Sequence, residues 1–182
     1  MIAILLQSAV VAAPQAEAAP SSVEYRDERT GARVRNLTPG MHRAQVIYQT
    51  HPMWTPDMEY LVFDGERDGK MIPHALYMKT GHVRPVVEGE IGSSYLDPKL
   101  GRFYYVTGNE IDVIGVSLAF RRMAKPRRLA MLPSEAVRIE GGLSLDPQAD
   151  LLYTGVVLEE DKKWAIIALN LAVAKWQMVT KL

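Results

Sequence analysis

Short runs of β-branched and aromatic residues, set between clusters of turn residues, recur from Arg33 to the end of the chain and predict strands throughout. One set comprises Gln45 to Gln49, Tyr60 to Glu66, His74 to Lys79 and Val83 to Glu88, divided by turns such as Arg67-Asp68-Gly69 and Lys79-Thr80-Gly81. A second comprises Ile91 to Leu96, Arg102 to Thr107, Ile111 to Leu118 and Arg127 to Leu132. A third runs through Gly141 to Leu145, Leu151 to Glu159, Trp164 to Asn170 and Lys175 to Lys181. Ahead of them, Arg33 to Thr38 follows the turn Thr30-Gly31 and reads as a lone outer strand. No long segment keeps a helical period. Ala165 to Ala174 comes nearest, and its flanking Trp and Val residues favour a strand.

The three sets share a register. Thr55-Pro56-Asp57-Met58-Glu59-Tyr60-Leu61-Val62-Phe63 aligns with Asp97-Pro98-Lys99-Leu100-Gly101-Arg102-Phe103-Tyr104-Tyr105 and with Asp146-Pro147-Gln148-Ala149-Asp150-Leu151-Leu152-Tyr153-Thr154. In each, a proline fixes the backbone for a tight turn, and a β-branched or aromatic run begins at the same offset. The prolines fall at 56, 98 and 147, and those steps of 42 and 49 residues match one four-stranded propeller blade. The expected fold class is therefore all-β: an incomplete β-propeller of about three four-stranded antiparallel blades. Its outer strand would lie at 23–38 and its blades at about 41–89, 90–133 and 137–182. Propellers close with roughly four to eight blades. The expectation is thus the amino-terminal part of a longer protein, with association of copies through open blade edges as the alternative.

Composition adds limits. With 182 residues, 48% hydrophobic and 23% charged, the chain suits a soluble globular domain or part of one. Lys plus Arg and Asp plus Glu are 21 each, so no overall field steers it towards nucleic acid or an anionic membrane. The absence of cysteine excludes disulfides, thiolate metal sites and cysteine nucleophiles. Met1 to Ala13 is too short for a membrane span but has the length of a signal-peptide core, and Ala16-Glu17-Ala18 supplies small residues for cleavage. No basic residue precedes Arg26, so a disordered or mis-started leader is the alternative. Residues 1–20 are set apart from the fold. An export signal would place the protein in the periplasm or outside the cell, and its absence in the cytoplasm.

The residues also resemble a known family, the oligogalacturonate lyases, which are seven-bladed propellers that degrade pectin fragments. The resemblance starts at Tyr25-Arg26-Asp27-Glu28-Arg29-Thr30-Gly31-Ala32-Arg33-Val34-Arg35-Asn36-Leu37-Thr38-Pro39 and continues through His42-Arg43, Tyr48-Gln49, Asp57, Leu61 to Phe63, Asp68-Gly69 and Leu76-Tyr77. It fades through Ser94, Asp97 and Tyr104-Tyr105-Val106, and is thin after about Leu132. Thr-Pro-Asp and Arg-Asp-Gly are shared with Tol-type propellers. The resemblance implies β-elimination on a short galacturonate chain, in which the uronate carboxylate is neutralised and a base takes the neighbouring proton. It also implies a divalent metal such as Mn²⁺ for the full-length family member, held by His and Gln residues in later blades. No metal site is expected in this chain, which would then be inactive alone, and its catalytic residues are unknown.

What the resemblance leaves here is a substrate-binding wall for an acidic oligosaccharide. Residues in Met41 to His51 are placed to reach the channel, and Arg43 suits a bidentate pair with a uronate carboxylate, or alternatively an inter-blade salt bridge. His42 reads as a hydrogen-bond donor or proton relay, or as a turn histidine capping backbone. Tyr48 and Gln49 read as ligand-facing or as strand packing. Other constellations reduce to structure. Asp64 to Gly69 begins like a calcium loop, yet Ala75 stands where a bidentate Glu is required. Histidines 42, 51, 74 and 82 lack metal-site spacing. Arg121, Arg122, Lys125, Arg127 and Arg128 form a basic run without interleaved aromatics, which argues against nucleic acid and reads as a solvated loop or as a contact for an acidic saccharide or protein. Glu159 to Lys163 reads as a charged hairpin tip. The competing function is a non-catalytic exported Tol-like propeller acting as a binding scaffold.

Overall fold

A computed structural model describes residues 22–122, 124–159 and 162–181; the expected leader at 1–20 and the middle of the Glu159 to Lys163 tip lie outside them. The fold is built on a repeated turn. In each repeat the amide of the first turn residue donates to a carbonyl five residues on: Thr55 to Tyr60 at 3.1 Å, Asp97 to Arg102 at 2.8 Å and Asp146 to Leu151 at 3.0 Å. The side chain of that first residue completes the turn. Thr55 Oγ1 accepts from the Tyr60 amide, Asp97 Oδ1 from the Lys99 and Leu100 amides, and Asp146 Oδ1 from the Asp150 and Leu151 amides. Each turn also places one residue in the left-handed region, Met58, Gly101 or Ala149. A shared hydrogen-bond plan thus underlies the shared sequence register.

Strands β1 (Val23–Arg26) and β2 (Arg33–Asn36) precede the repeats as an antiparallel hairpin, so the expected lone outer strand is a pair. Its turn is tied by Asp27, which accepts from the Thr30 amide and hydroxyl. The first blade follows as β3 (Ala44–Gln45), β4 (Tyr60–Arg67), β5 (Lys70–Tyr77) and β6 (His82–Pro85), hydrogen-bonded in that order. β5 begins at Lys70 rather than His74 because Asp68 and Gly69, both at positive φ, close a two-residue hairpin that pairs Arg67 with Lys70. The second blade is β7 (Ser94–Leu96), β8 (Arg102–Thr107), β9 (Glu110–Gly115), then helix α1 (Val116–Arg122) and the outermost strand β10 (Arg127–Met131). The third comprises β11 (Ala136–Ile139), β12 (Ser144–Leu145), β13 (Leu151–Leu158), β14 (Trp164–Asn170) and β15 (Lys175–Lys181). β11 and β12 both pair with β13, and together they fill one innermost position.

Helix α1 corrects the expected strand from Ile111 to Leu118. The Val113-Ile114 pair is strand, but the ladder ends at Gly115, where the Val116 amide instead donates to the Gly101 carbonyl at 3.0 Å. Val116, Ala119 and Phe120, spaced as one helical face, are then buried. Ala165 to Ala174, by contrast, is strand as far as Asn170 and turn beyond it.

Alternation along the strands welds the blades together. Phe103 and Tyr105 join Leu96, Ile114, Val116, Ala119 and Phe120 against Tyr60, Val62 and Ala75 of the first blade. The intervening Tyr104 and Val106 join Ile111 and Val113 against Leu143, Leu152 and Leu169 of the third. A further cluster, Ala136, Val156, Leu158, Ala165 and Ile167, lies within the third blade, with Leu132 and Trp176 packed against it. Each large apolar side chain buried in this way contributes about 1.5–3 kcal/mol.

Candidate functional site on the innermost edge

Blades present their first strand on one edge, and in the first blade that edge is irregular. Gln45 pairs with Asp64 and Trp54 bridges to Leu61. The chain therefore takes nine steps, from 45 to 54, where its partner takes three, from 64 to 61. The surplus is an excursion from Val46 to His51, closed by the His51 amide donating to the Tyr48 carbonyl at 3.0 Å. The expected strand from Gln45 to Gln49 therefore ends at its first residue. Val46 and Ile47 have strand chemistry, but they leave the ladder, since β4 is met again only at Met53, whose carbonyl accepts from the Val62 amide at 2.7 Å, and at Trp54.

The excursion is pinned to the second blade through its rings. Tyr48 meets His51 edge to face at 5.0 Å between centroids, and His51 meets Tyr95 of β7 in the same manner at 4.9 Å. His51 Nδ1 is buried with no hydrogen-bond partner. Burial pushes the His51 imidazole below the ordinary histidine range, and the nearby Ser94 backbone opposes this without forming a hydrogen bond to Nδ1. Burial, with Asp97 second, pushes the Tyr95 hydroxyl up. Opposite Gln45, the half-buried Asp64 carboxyl is also raised by burial. The site thus favours a neutral imidazole between two phenols, groups that can donate and accept hydrogen bonds.

His42 and Arg43 stand at the other end of the edge, beside Glu66. His42 Nδ1 lies 3.1 Å from Glu66 Oε2 in an exposed pair, so the histidine meets a carboxylate rather than capping backbone. The Arg43 carbonyl accepts from the Glu66 amide at 2.9 Å, while its exposed guanidinium has no carboxylate partner among the described residues. This placement is possible because Gly65 has no side chain: a Cβ there would lie 2.2 Å from Met41 Cε and 2.9 Å from His74 Nδ1. Tyr48 is about half exposed and Gln49 is an exposed turn residue. Of the four residues singled out in the sequence, the structure joins Tyr48 to the His51–Tyr95 cluster and His42 to Glu66, and gives Arg43 and Gln49 no side-chain partner among the described residues. His51 and Tyr95 were not singled out. The usable signal is the place of His51 after β3, at the end of the stretch from Met41 expected to face the channel.

No group of three or more His, Cys, Asp or Glu among the described residues could hold a metal ion. Among the described residues no such cluster is available to the divalent metal that the resemblance implies for the complete enzyme, whose His and Gln ligands are expected in later blades.

Sequence comparison finds no matching protein-family model and no matching curated protein. Solved structures do match. An oligogalacturonate lyase in complex with manganese superposes with a TM-score of 0.75 at 18% identity, covering 88% of this chain and 47% of its own. The oligogalacturonate lyase of Vibrio parahaemolyticus gives 0.76 at 14% identity, covering 90% and 48%. TolB of Acinetobacter baumannii gives 0.55 at 12%, covering 87% and 37%. The chain is thus a run of β-propeller blades with the fold of those lyases, spanning about half of their length.

Proposed function

We propose that this chain provides the saccharide-binding wall of an oligogalacturonate lyase-like propeller, acting with catalytic parts outside it on pectin-derived oligogalacturonides by β-elimination. The observation that carries this reading is the fold likeness, which is higher for the two lyases than for TolB over the same share of the chain. The geometry of the edge supports it. Arg43 is a free planar cation suited to a uronate carboxylate, and Tyr48 and Tyr95 flank a neutral histidine that can meet hydroxyl groups. Neutralising that carboxylate is what makes the adjacent proton easier to remove, so Arg43 would bind and orient, while the base and metal come from elsewhere. The chain alone is expected to bind and not to cleave.

Calorimetric titration with di- and trigalacturonate, with and without Mn²⁺, tests this. The expected result is weak binding that does not need Mn²⁺, is lost with the uncharged galactose oligomers, and falls about tenfold in Arg43→Ala. No heat at millimolar ligand would overturn it. The second reading, an exported Tol-like scaffold without catalysis, is supported by the TolB likeness. Protein binding without saccharide binding would support that reading.

A further inference from the structure

A half-open cavity of about 540 Å³ lies where the first and second blades meet, beyond the ends of their inner strands. Three pieces form it: the Thr55–Asp57 turn, the Leu100–Arg102 turn and the stretch from Val113 to Arg127 that includes α1. The two turns nest because residue 101 is glycine. It sits at φ +63°, and a Cβ there would lie 3.3 Å from Pro56 Cδ. α1 is held over them by the Val116 amide on the Gly101 carbonyl. Among the described residues neither of the other blades has a helix between its third and fourth strands, so the cavity is particular to this junction.

Its lining is electrically unbalanced. Arg102, Lys125 and Arg127 all face it, and Asp57 is the lone acid. Asp57 is already engaged, accepting from the Thr55 hydroxyl at 2.5 Å and the Glu59 amide at 3.0 Å; the hydroxyl first and the amide second hold its carboxyl below the usual range. Of the carboxylates nearby, Glu59 is taken by Lys79 and Arg121 and Glu110 by Arg128, while Asp97, buried at the start of the second turn, spends Oδ1 on two amides and leaves Oδ2 without a partner. None of Arg102, Lys125 and Arg127 has a carboxylate partner among the described residues, although Arg102 also hydrogen-bonds the Tyr104 side chain. The same cavity also carries Leu100 and Leu118, exposed at 56% and 53%. Like-signed cations gathered around bare carbon surface store both repulsion and unburied apolar area, and a ligand with several negative charges on a carbon skeleton would relieve both. The volume lies within the range of small-molecule sites, roughly 300–1,000 Å³.

We propose that this cavity between the first two blades binds a small polycarboxylate through Arg102, Lys125 and Arg127, with Leu100 and Leu118 covering its carbon backbone. Arginine supplies planar pairing to carboxylates and lysine a mobile point charge. The site is separate from the inner edge and does not depend on the proposed saccharide wall.

The test is a thermal-shift and calorimetric titration of the full chain with citrate, inorganic phosphate and galactose. Citrate is expected to bind and raise the melting temperature, phosphate to bind at least tenfold more weakly for want of a carbon skeleton, and galactose not at all. Lys125→Gln with Arg127→Gln should weaken citrate at least tenfold, and raised NaCl should weaken it further. Asp57→Asn, which keeps an acceptor for Thr55, should strengthen it, and Arg43→Ala should leave it unchanged. The melting curves themselves report whether each variant is folded. Absence of citrate binding, phosphate binding as tightly as citrate, or equal loss in Arg43→Ala would each overturn the proposal.

Discussion

The inner strands of the first two blades lead into turns that share one register and yet differ in what they leave available. In the second, Ser94–Leu96 runs straight along β8, with Ser94 and Leu96 buried and every pairing position used. In the first, the equivalent edge breaks into the Val46 to His51 excursion, which leaves Val46 and Tyr48 about half exposed and His51 Nδ1 without a partner. The second blade shows the same division within itself: its turn and its β7–β8 and β8–β9 ladders are regular, while the inserted α1 borders the cavity and β10 beyond it carries a register shift between Arg128 and Ala130. Regular blade geometry consumes its own polar groups in ladders and turns. Departures from the repeat release them, and the candidate sites lie at those departures.

Truncation should separate the two kinds of region most sharply. Phe103 is fully buried where the first and second blades meet, so Phe103→Ala is expected to cost about 3–5 kcal/mol. Tyr48→Ala, an equally large deletion on the excursion, should stay within about 0.5 kcal/mol, since the ring is half exposed and makes one edge contact with His51. Denaturant titration of both variants measures the gap. A similar cost for the two would mean that the excursion belongs to the structural frame.

The next effect concerns the turn itself. Asp97 is fully buried, and its Oδ1 receives both the Lys99 and Leu100 amides while Oδ2 has no partner. Asp97→Ala orphans two amides and is expected to cost about 1–3 kcal/mol. Asp97→Asn keeps the accepting oxygen and should cost markedly less. Equal losses in the two variants would show that charge, rather than the acceptor, holds the turn.

How much of this was legible in the sequence follows from the same division. The turns could be read because they demand particular residues: a Thr or Asp whose side chain bonds the backbone ahead, a proline after it, and a strand at a fixed offset. Blade packing could be read because Phe103-Tyr104-Tyr105-Val106 sends alternate side chains to opposite neighbours. α1 could not, because seven residues are too few to establish a period and its first residue, Val116, continues a β-branched run. Nor could the excursion, since Val46, Ile47 and Tyr48 are good strand formers that only the spacing of their partners on β4 excludes. A histidine such as His51 carries no spacing signal alone. Its character comes from Tyr48 and Tyr95, one of them on another blade.

Acid titration should give the smallest effect, and it bears on two histidines in contrasting settings. His74 lies within the ladder of β5, 4% exposed, with Nδ1 2.9 Å from the Ile72 carbonyl and its ring stacked on Phe63. Burial lowers its pKa first, Arg67 adds to this, and the Ile72 contact opposes it. His51 is lowered by burial as well, but on the excursion. A histidine whose folded pKa lies below its unfolded value of 6.5 binds its proton more readily when the chain is unfolded. Its contribution is therefore complete above that value and is lost as the pH falls from there towards the folded pKa. Stability should accordingly fall as the pH drops from about 7 to 5. His74→Gln should remove most of that slope, because the ladder cannot move to hydrate a charged ring, and His51→Gln should remove less, because the excursion can swing its ring towards water. A flat profile over this range would show that neither ring is held neutral. A larger share for His51 would mean that the excursion is as rigid as the blades that carry it.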